Sequence, residues 1–376
     1  MPSGFGVVRY AQDSPELTKV LQQALKPNSQ GEVNALALSG GGANGAFGAG
    51  VLTAWAAIGD RPEFQMVTGV STGALTAPLA FLGDQGDQAL KQAYLGPGVQ
   101  RLLRSRGPMG LFTPGLYSRK PLVSLVRSYV TDDLLRQVAA EHAKGRRLLV
   151  ASTNLDTEQL IVWDMGAIAS HGGLAARDLF VSVLVASASV PGVFPPTLID
   201  VDSDGHRFSE MHVDGQTQSA FFAVPTSVLL GVDKRVSTYP VHFYVIVNGQ
   251  PDSLFAVTRH ATLPILGRSF DAASKAATRD VLITTAEFCQ HHGCTLRVSS
   301  MPVTETDDPL DFHKPHLQRL FDVGQAAERS GSAWRTVSVK PAPLADVPTK
   351  VDAQGQSATV VAPGSADPQS ERASKP

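Results

Sequence analysis

Through most of the chain, short apolar runs alternate with longer stretches of helical periodicity. Residues 35–38, 66–70, 148–153, 160–163, 241–247 and 295–298 predict strands, several of them apolar at consecutive positions, as in a sheet covered on both faces. Helices are predicted over 16–25, 46–58, 72–82, 121–130, 132–142, 179–188, 258–291 and 316–329. This alternation predicts an α/β fold: a three-layer α/β/α domain with a largely parallel central sheet. No internal repeat or linker divides it. The expected organisation is a partly helical N-terminal lead (1–32), one domain (33–339) and a disordered Ala/Pro/Ser-rich tail (340–376). Of the last 36 residues, 22 are Ala, Pro, Ser, Gly or Gln and none is aromatic.

Composition narrows the function classes. The 376 residues carry 32 basic and 34 acidic side chains, so no global field attracts nucleic acid. The uncharged runs 35–59 and 179–199 are long enough to span a bilayer. The first holds seven glycines and the second is broken by Pro191, Pro195 and Pro196, so neither is expected to do so. The N-terminus lacks the basic and apolar regions of a signal peptide. The default expectation is therefore the cytoplasm, with peripheral membrane and exported locations left open. Cys289 and Cys294, in CQHHGC, read as two ordinary thiols rather than a loop-closing disulfide or a metal site, and no metal is expected.

Two motifs carry chemistry. The predicted strand at 35–38 runs into Gly40, Gly41, Gly42, Ala43, Asn44 and Gly45, and an apolar helix follows. Consecutive glycines let backbone N–H groups point into one cavity, and the helix N-terminus adds partial positive charge, so the loop suits an anion. Gly40, Gly42 and Gly45 match GxGxxG, but no acidic residue follows the second strand as a dinucleotide fold requires. A Gly-Lys-Ser/Thr triphosphate loop is also absent, which leaves a transient oxyanion and no cofactor. Downstream, Gly69, Ser71 and Gly73 form GxSxG between the strand at 66–70 and a helix, the setting of a nucleophile elbow.

Ser71 needs a base. Ten histidines are present, and none stands in a loop that marks it. Asp214 ends an apolar/polar alternation (208–213) and precedes Gly215, which places a carboxylate at a strand end held by a tight turn.

The order GGGxxG, GxSxG and a distant Asp-Gly, with the ASASVPGVFPP stretch (186–196) before the aspartate, resembles the patatin-like phospholipases, serine hydrolases that use a Ser-Asp dyad without histidine. The resemblance implies Ser71 as nucleophile and Asp214 as base. It makes Gly41 and Gly42 the backbone donors of an oxyanion hole that Gly40 shapes, with Gly45, Gly69, Gly73 and Gly215 supporting the motifs. It also implies a phospholipase A or lysophospholipase-like activity on lipid esters. Asn44 stands where the family usually has a basic residue, and Gln216 where a second small residue usually follows Asp-Gly. A Ser-His-Asp carboxylesterase and an inactive lipid-binding protein of the same fold remain as alternatives.

Residues 88–131 contain no acidic side chain, but they carry Lys91, Arg101, Arg104, Arg106, Arg119, Lys120 and Arg127, interleaved with Leu102, Leu103, Met109, Leu111 and Phe112. This segment suits a flap making peripheral contact with anionic lipid, or a solvated basic face. Oligomeric state is left open.

Overall fold

The structure, a computed structural model, describes residues 1–24, 26–105, 107, 113–203, 205–222, 239–252, 255 and 257–337. The predicted tail lies outside the described residues, as do Arg106, Met109, Leu111 and Phe112 of the basic segment. The strands are β1 (Arg9–Ala11), β2 (Val33–Leu38), β3 (Met66–Val70), β4 (Arg147–Asn154), β5 (Gln159–Asp164), β6 (Thr197–Ser203), β7 (His206–Asp214), β8 (Val241–Val247), β9 (Thr295–Ser300) and β10 (Arg335–Thr336). The helices are α1 (Pro15–Ala24), α2 (Gly45–Ile58), α3 (Thr72–Phe81), α4 (Asp87–Leu95), α5 (Lys120–Tyr129), α6 (Asp132–Ala143), α7 (Met165–His171), α8 (Gly173–Ser187), α9 (Thr262–His292) and α10 (Lys314–Arg329).

Every residue of β2 and β3 is buried, which is why both are predominantly apolar, with Asn34 and Thr68 the polar exceptions. The strands lie in the order β1-β5-β4-β3-β2-β8-β9-β10, and the run from β4 to β9 is parallel. Alternate side chains feed two cores. Leu36, Leu38, Val67 and Val150 pack with Phe47, Trp55, Phe81 and Phe180 on one face. On the other, Ala35, Ala37, Met66 and Leu149 belong to the cluster of Leu17 and Leu21 from α1 and Leu282, Ala286 and Phe288 from α9. The predicted three-layer α/β/α architecture is the observed one.

Antiparallel strands extend both edges. β1 pairs with β5 and β10 with β9; three and two residues are too few for a period to register in sequence. The N-terminal lead is thereby bonded to the sheet. The most consequential addition is β7. It pairs with β6 along its length and also with β4, where Ser152 faces Asp214 and Asn154 faces His212. β3 occupies the same side of β4 only as far as Val70, opposite Ala151. Thus β7 takes up the edge of β4 where β3 stops. Ser71 follows Val70 and Asp214 faces Ser152, so the register alone brings them together.

Contrary to the expectation of two free thiols, Cys289 and Cys294 form a disulfide. Gly293 ends α9 in the left-handed region (φ 71°), turning the chain so that the Cys294 N–H donates to the Cys289 carbonyl and the two Cα atoms lie 4.4 Å apart.

Candidate active site

Ser71 sits on the turn between β3 and α3 with φ 56° and ψ −124°, a conformation L-residues avoid. The glycines around it are required by close approach. A Cβ at Gly73 would lie 2.2 Å from the Leu38 carbonyl oxygen, and one at Gly69 would lie 2.5 Å from that of Gly73. The helix start is therefore pressed against β2 and β3, and the hydroxyl stands at the N-terminus of α3. The turn is also held from outside. The Ser71 N–H donates to Ser187 Oγ at 3.0 Å, and the Ser187 hydroxyl donates to the Ala151 carbonyl at 2.6 Å.

Ser71 Oγ donates to Asp214 Oδ2 at 2.5 Å, while Asp214 Oδ1 accepts the Gln216 N–H at 2.8 Å. Asp214 is completely buried. Burial pushes its carboxyl up to about 7 from an ordinary 3.8, against the hydrogen bonds from Ser71 and the Gln216 backbone, which act the other way. Its backbone is anchored as well: Asp214 N–H donates to the Ser189 carbonyl, and Thr153 Oγ1 donates to the Asp214 carbonyl. Two residues upstream, buried His212 bridges Ser152 Oγ and Glu210, which also receives the Arg9 guanidinium. Burial would raise the Glu210 carboxyl, but hydrogen bonds from His212 and Arg9 hold it down at about 2.

The glycine loop borders Ser71. A Cβ at Gly40 would lie 3.0 Å from Ser71 Cβ and 2.1 Å from Gln216 Oε1. Gly41 has φ 150° and Gly42 φ 56°, and Cβ atoms there would lie 1.8 Å from the Asn248 carbonyl oxygen and 2.1 Å from that of Pro309. The Gly40 N–H donates to Ala220; among the described residues the Gly41 and Gly42 N–H groups have no acceptor. Gly45 leaves space for Tyr94, whose hydroxyl meets Thr72 and Thr76 at 2.8 Å each, and Gly215 lets β7 turn against the Ala151 carbonyl.

A narrow cleft of about 60 Å³ opens beside Ser71 and Gly42. Its walls are mainly apolar: Leu75, Val99, Leu102, Leu122, Leu125 and Phe194 line it among others. Tyr94 and Tyr129 also line it, and burial pushes both phenols above their usual range. Leu102, Leu122 and Leu125 come from the basic segment and form part of the cleft wall, and Leu103 packs on the same core. The cations separate from them: Lys91, Arg101, Arg104, Lys120 and Arg127 are exposed, while Arg119 bonds Pro196 and Thr197.

Sequence reasoning missed Ser187 as the partner of the Ser71 N–H, although it lies in the ASAS stretch. It also missed the link from the glycine loop to α9. Asn44 Nδ2 donates to Asp307 Oδ1 at 2.7 Å, and Lys275 Nζ pairs with Asp307 Oδ2 at 2.8 Å. No histidine ring hydrogen-bonds Ser71 or lines the cleft among the described residues.

The profile of the family described as patatin-like phospholipase matches residues 36–226, just over half of the 376-residue chain. The chain belongs to that family, whose members act on lipid esters; lipid hydrolysis in general is the activity this membership supports. Among solved structures, VipD from Legionella pneumophila is similar with a TM-score of 0.35 and 13% identity, over 81% of this chain and 68% of that one. ExoU of Pseudomonas aeruginosa, solved in complex with SpcU from the type III secretion system, gives a TM-score of 0.28 and 15% identity, over 82% of this chain and 55% of that one. No curated protein matches.

Proposed function

We propose that the protein is a serine lipid acyl hydrolase of the phospholipase A or lysophospholipase type, acting through a Ser71-Asp214 dyad. The observation that carries this reading is the 2.5 Å hydrogen bond from Ser71 Oγ to a fully buried carboxylate held near neutrality. Asp214 accepts the hydroxyl proton as Oγ bonds to the ester carbonyl carbon. The carbonyl oxygen becomes an oxyanion facing the Gly41 and Gly42 N–H groups and the N-terminus of α3. Collapse breaks the ester C–O bond, and the proton on Asp214 passes to the departing alcohol. Water, deprotonated by Asp214, then attacks the acyl-enzyme carbonyl; the Ser71 Oγ–acyl bond breaks as Asp214 returns the proton to Ser71, and the apolar cleft supports an acyl chain as the part held during both steps. No cofactor is required.

The geometry favours this over the alternatives. A Ser-His-Asp esterase needs an imidazole on Ser71, and the Ser71 hydroxyl donates instead to Asp214. Gln216 argues little for inactivity, because its backbone N–H supports Asp214 and its side chain turns to Ser274. On α5, Leu122, Leu125 and Tyr129 line the cleft while Lys120 and Arg127 lie on the opposite face, which supports attraction to anionic lipid.

Wild type, Ser71→Ala and Asp214→Asn incubated with mixed phospholipids and neutral glycerides, with products read by mass spectrometry, test the reading. Both variants are expected to lose turnover while remaining folded, and only wild type to be labelled efficiently at Ser71 by a fluorophosphonate. Substantial ester hydrolysis by either variant rejects the dyad.

A further inference from the structure

Among the described residues, the N-terminal end of α9 (262–270) lies outside the core. From Thr262 to Phe270 its described side chains are exposed or half-exposed, whereas Leu282, Ala286 and Cys289 further along are in the core. Large apolar side chains are among the exposed ones: Leu266 is 59% and Ile265 50% accessible, and in the preceding segment Phe255 is 96% and Val257 86% accessible. Exposed apolar residues scattered singly are ordinary; five within 16 residues, counting Phe270, are a patch. The charge around them has one sign. No acidic residue lies between Asp252 and Asp271, while Arg259 and Arg268 do, with Arg259 exposed and Arg268 paired to Asp271.

This patch continues into the active site. At Ser274, one turn beyond Phe270, α9 receives the side chain of Gln216, whose backbone N–H holds Asp214. At Lys275 it pairs with Asp307, which holds Asn44 of the glycine loop. At about 1.5 Å per residue, the apolar stretch begins roughly 6 Å from Ser274 and runs to about 14 Å.

We propose that Phe255, Val257 and the exposed apolar residues of α9 form the element that docks the protein on a lipid bilayer, its apolar side chains entering the headgroup boundary and Arg259 facing anionic lipid. The proposal rests on the lipid acyl hydrolase reading for its choice of occupant, since the substrate of such an enzyme is presented at that surface. An exposed apolar face with an exposed arginine, Arg259, beside it matches the composition of interfacial helices. The links at Ser274 and Lys275 make α9 the physical connection between the docked surface and both sides of the dyad.

The test separates docking from chemistry. In a Ser71→Ala background, binding to phosphatidylcholine/phosphatidylglycerol vesicles is measured by sedimentation for the parent and for Phe255→Ser/Val257→Ser/Leu266→Ser. In the Ser71 protein, the same triple substitution is assayed on a soluble short-chain p-nitrophenyl ester. The expected result is about tenfold or greater loss of vesicle partitioning, since each of these side chains contributes favourably when buried in lipid, with soluble-ester turnover within about twofold of the parent. Lys120→Glu/Arg127→Glu is expected to alter the salt dependence of vesicle binding without reproducing the loss. Unchanged vesicle binding by the triple variant, an equal loss of soluble-ester turnover, or a change confined to self-association in sedimentation velocity overturns the proposal. If the Ser71 protein hydrolyses no ester while the Ser71→Ala protein binds vesicles through this face, the docking surface stands and the hydrolase reading falls.

Discussion

Replacing Asp214 by Asn tests the electrostatics of the site directly. In the fold this carboxyl titrates at about 7, and in the unfolded chain near 3.8. Below 3.8 both states hold the proton and the group has no net effect on stability. Between 3.8 and about 7 the unfolded chain releases the proton while the fold retains it, so stability falls as pH rises and levels off above the folded value. At about 1.36 kcal/mol per pH unit, the gap is worth on the order of 4 kcal/mol. Denaturant unfolding from pH 4 to 9 should therefore show wild type losing stability over this window. Asp214→Asn, which keeps the shape and an amide that cannot ionise, should hold its stability there and exceed wild type at pH 8. Activity runs the opposite way, because the base must be deprotonated to act: kcat/KM of wild type on a soluble ester should rise along an acid limb with a midpoint near 7. An acid limb centred below pH 5, together with parallel stability curves for wild type and Asp214→Asn, would refute the argument that burial tunes this carboxyl.

Other perturbations probe the surrounding frame. Ser187→Ala leaves the buried Ser71 N–H and the Ala151 carbonyl unpaired, so about 1–3 kcal/mol of stability should be lost. The displaced turn should also cost up to about 10²-fold in kcat with little change in KM, as steady-state kinetics would read. Gly42→Ala drives a Cβ into the Pro309 carbonyl; turnover should fall about 10²- to 10³-fold, as for loss of an oxyanion donor, with binding of a substrate analogue retained. His212→Gln should lower the melting temperature by loosening the Ser152–Glu210 bridge, yet keep kcat per fluorophosphonate-titrated site within a few-fold, whereas a histidine-dependent triad predicts near-complete loss.

The parts of the site that were legible in sequence are those whose constraint is local. A strand buried on both faces is apolar at consecutive positions, so β2, β3 and β8 show in the sequence despite Asn34, Thr68 and His242. A serine at φ 56° pressed against two strands needs glycine on either side, so Gly69 and Gly73 announce the turn. What could not be read depends on contacts across the chain. Ser187 lies 116 residues from the amide it accepts, and nothing around it marks that role. That β7 takes over the edge of β4 where β3 ends is a matter of register, which the alternation 208–213 leaves open. The cysteine spacing fits thiols as well as a disulfide until the left-handed Gly293 folds one onto the other. In the segment 88–131 a linear count mixes two faces: Leu102, Leu122 and Leu125 line the cleft, while Lys91, Arg101, Arg104, Lys120 and Arg127 are exposed.

The dimensions of the cleft set a size threshold. About 60 Å³ accommodates a few water molecules, far less than a fatty acyl chain. A cleft of this volume, lined by Leu102, Leu122, Leu125, Val193 and Phe194, predicts that short acyl groups are accommodated more readily than long ones. On the proposed acyl hydrolase reading, long-chain esters are therefore expected to turn over more slowly than short-chain ones. A series of esters of increasing acyl length, assayed below their aggregation limit, should fall in kcat/KM as the chain lengthens.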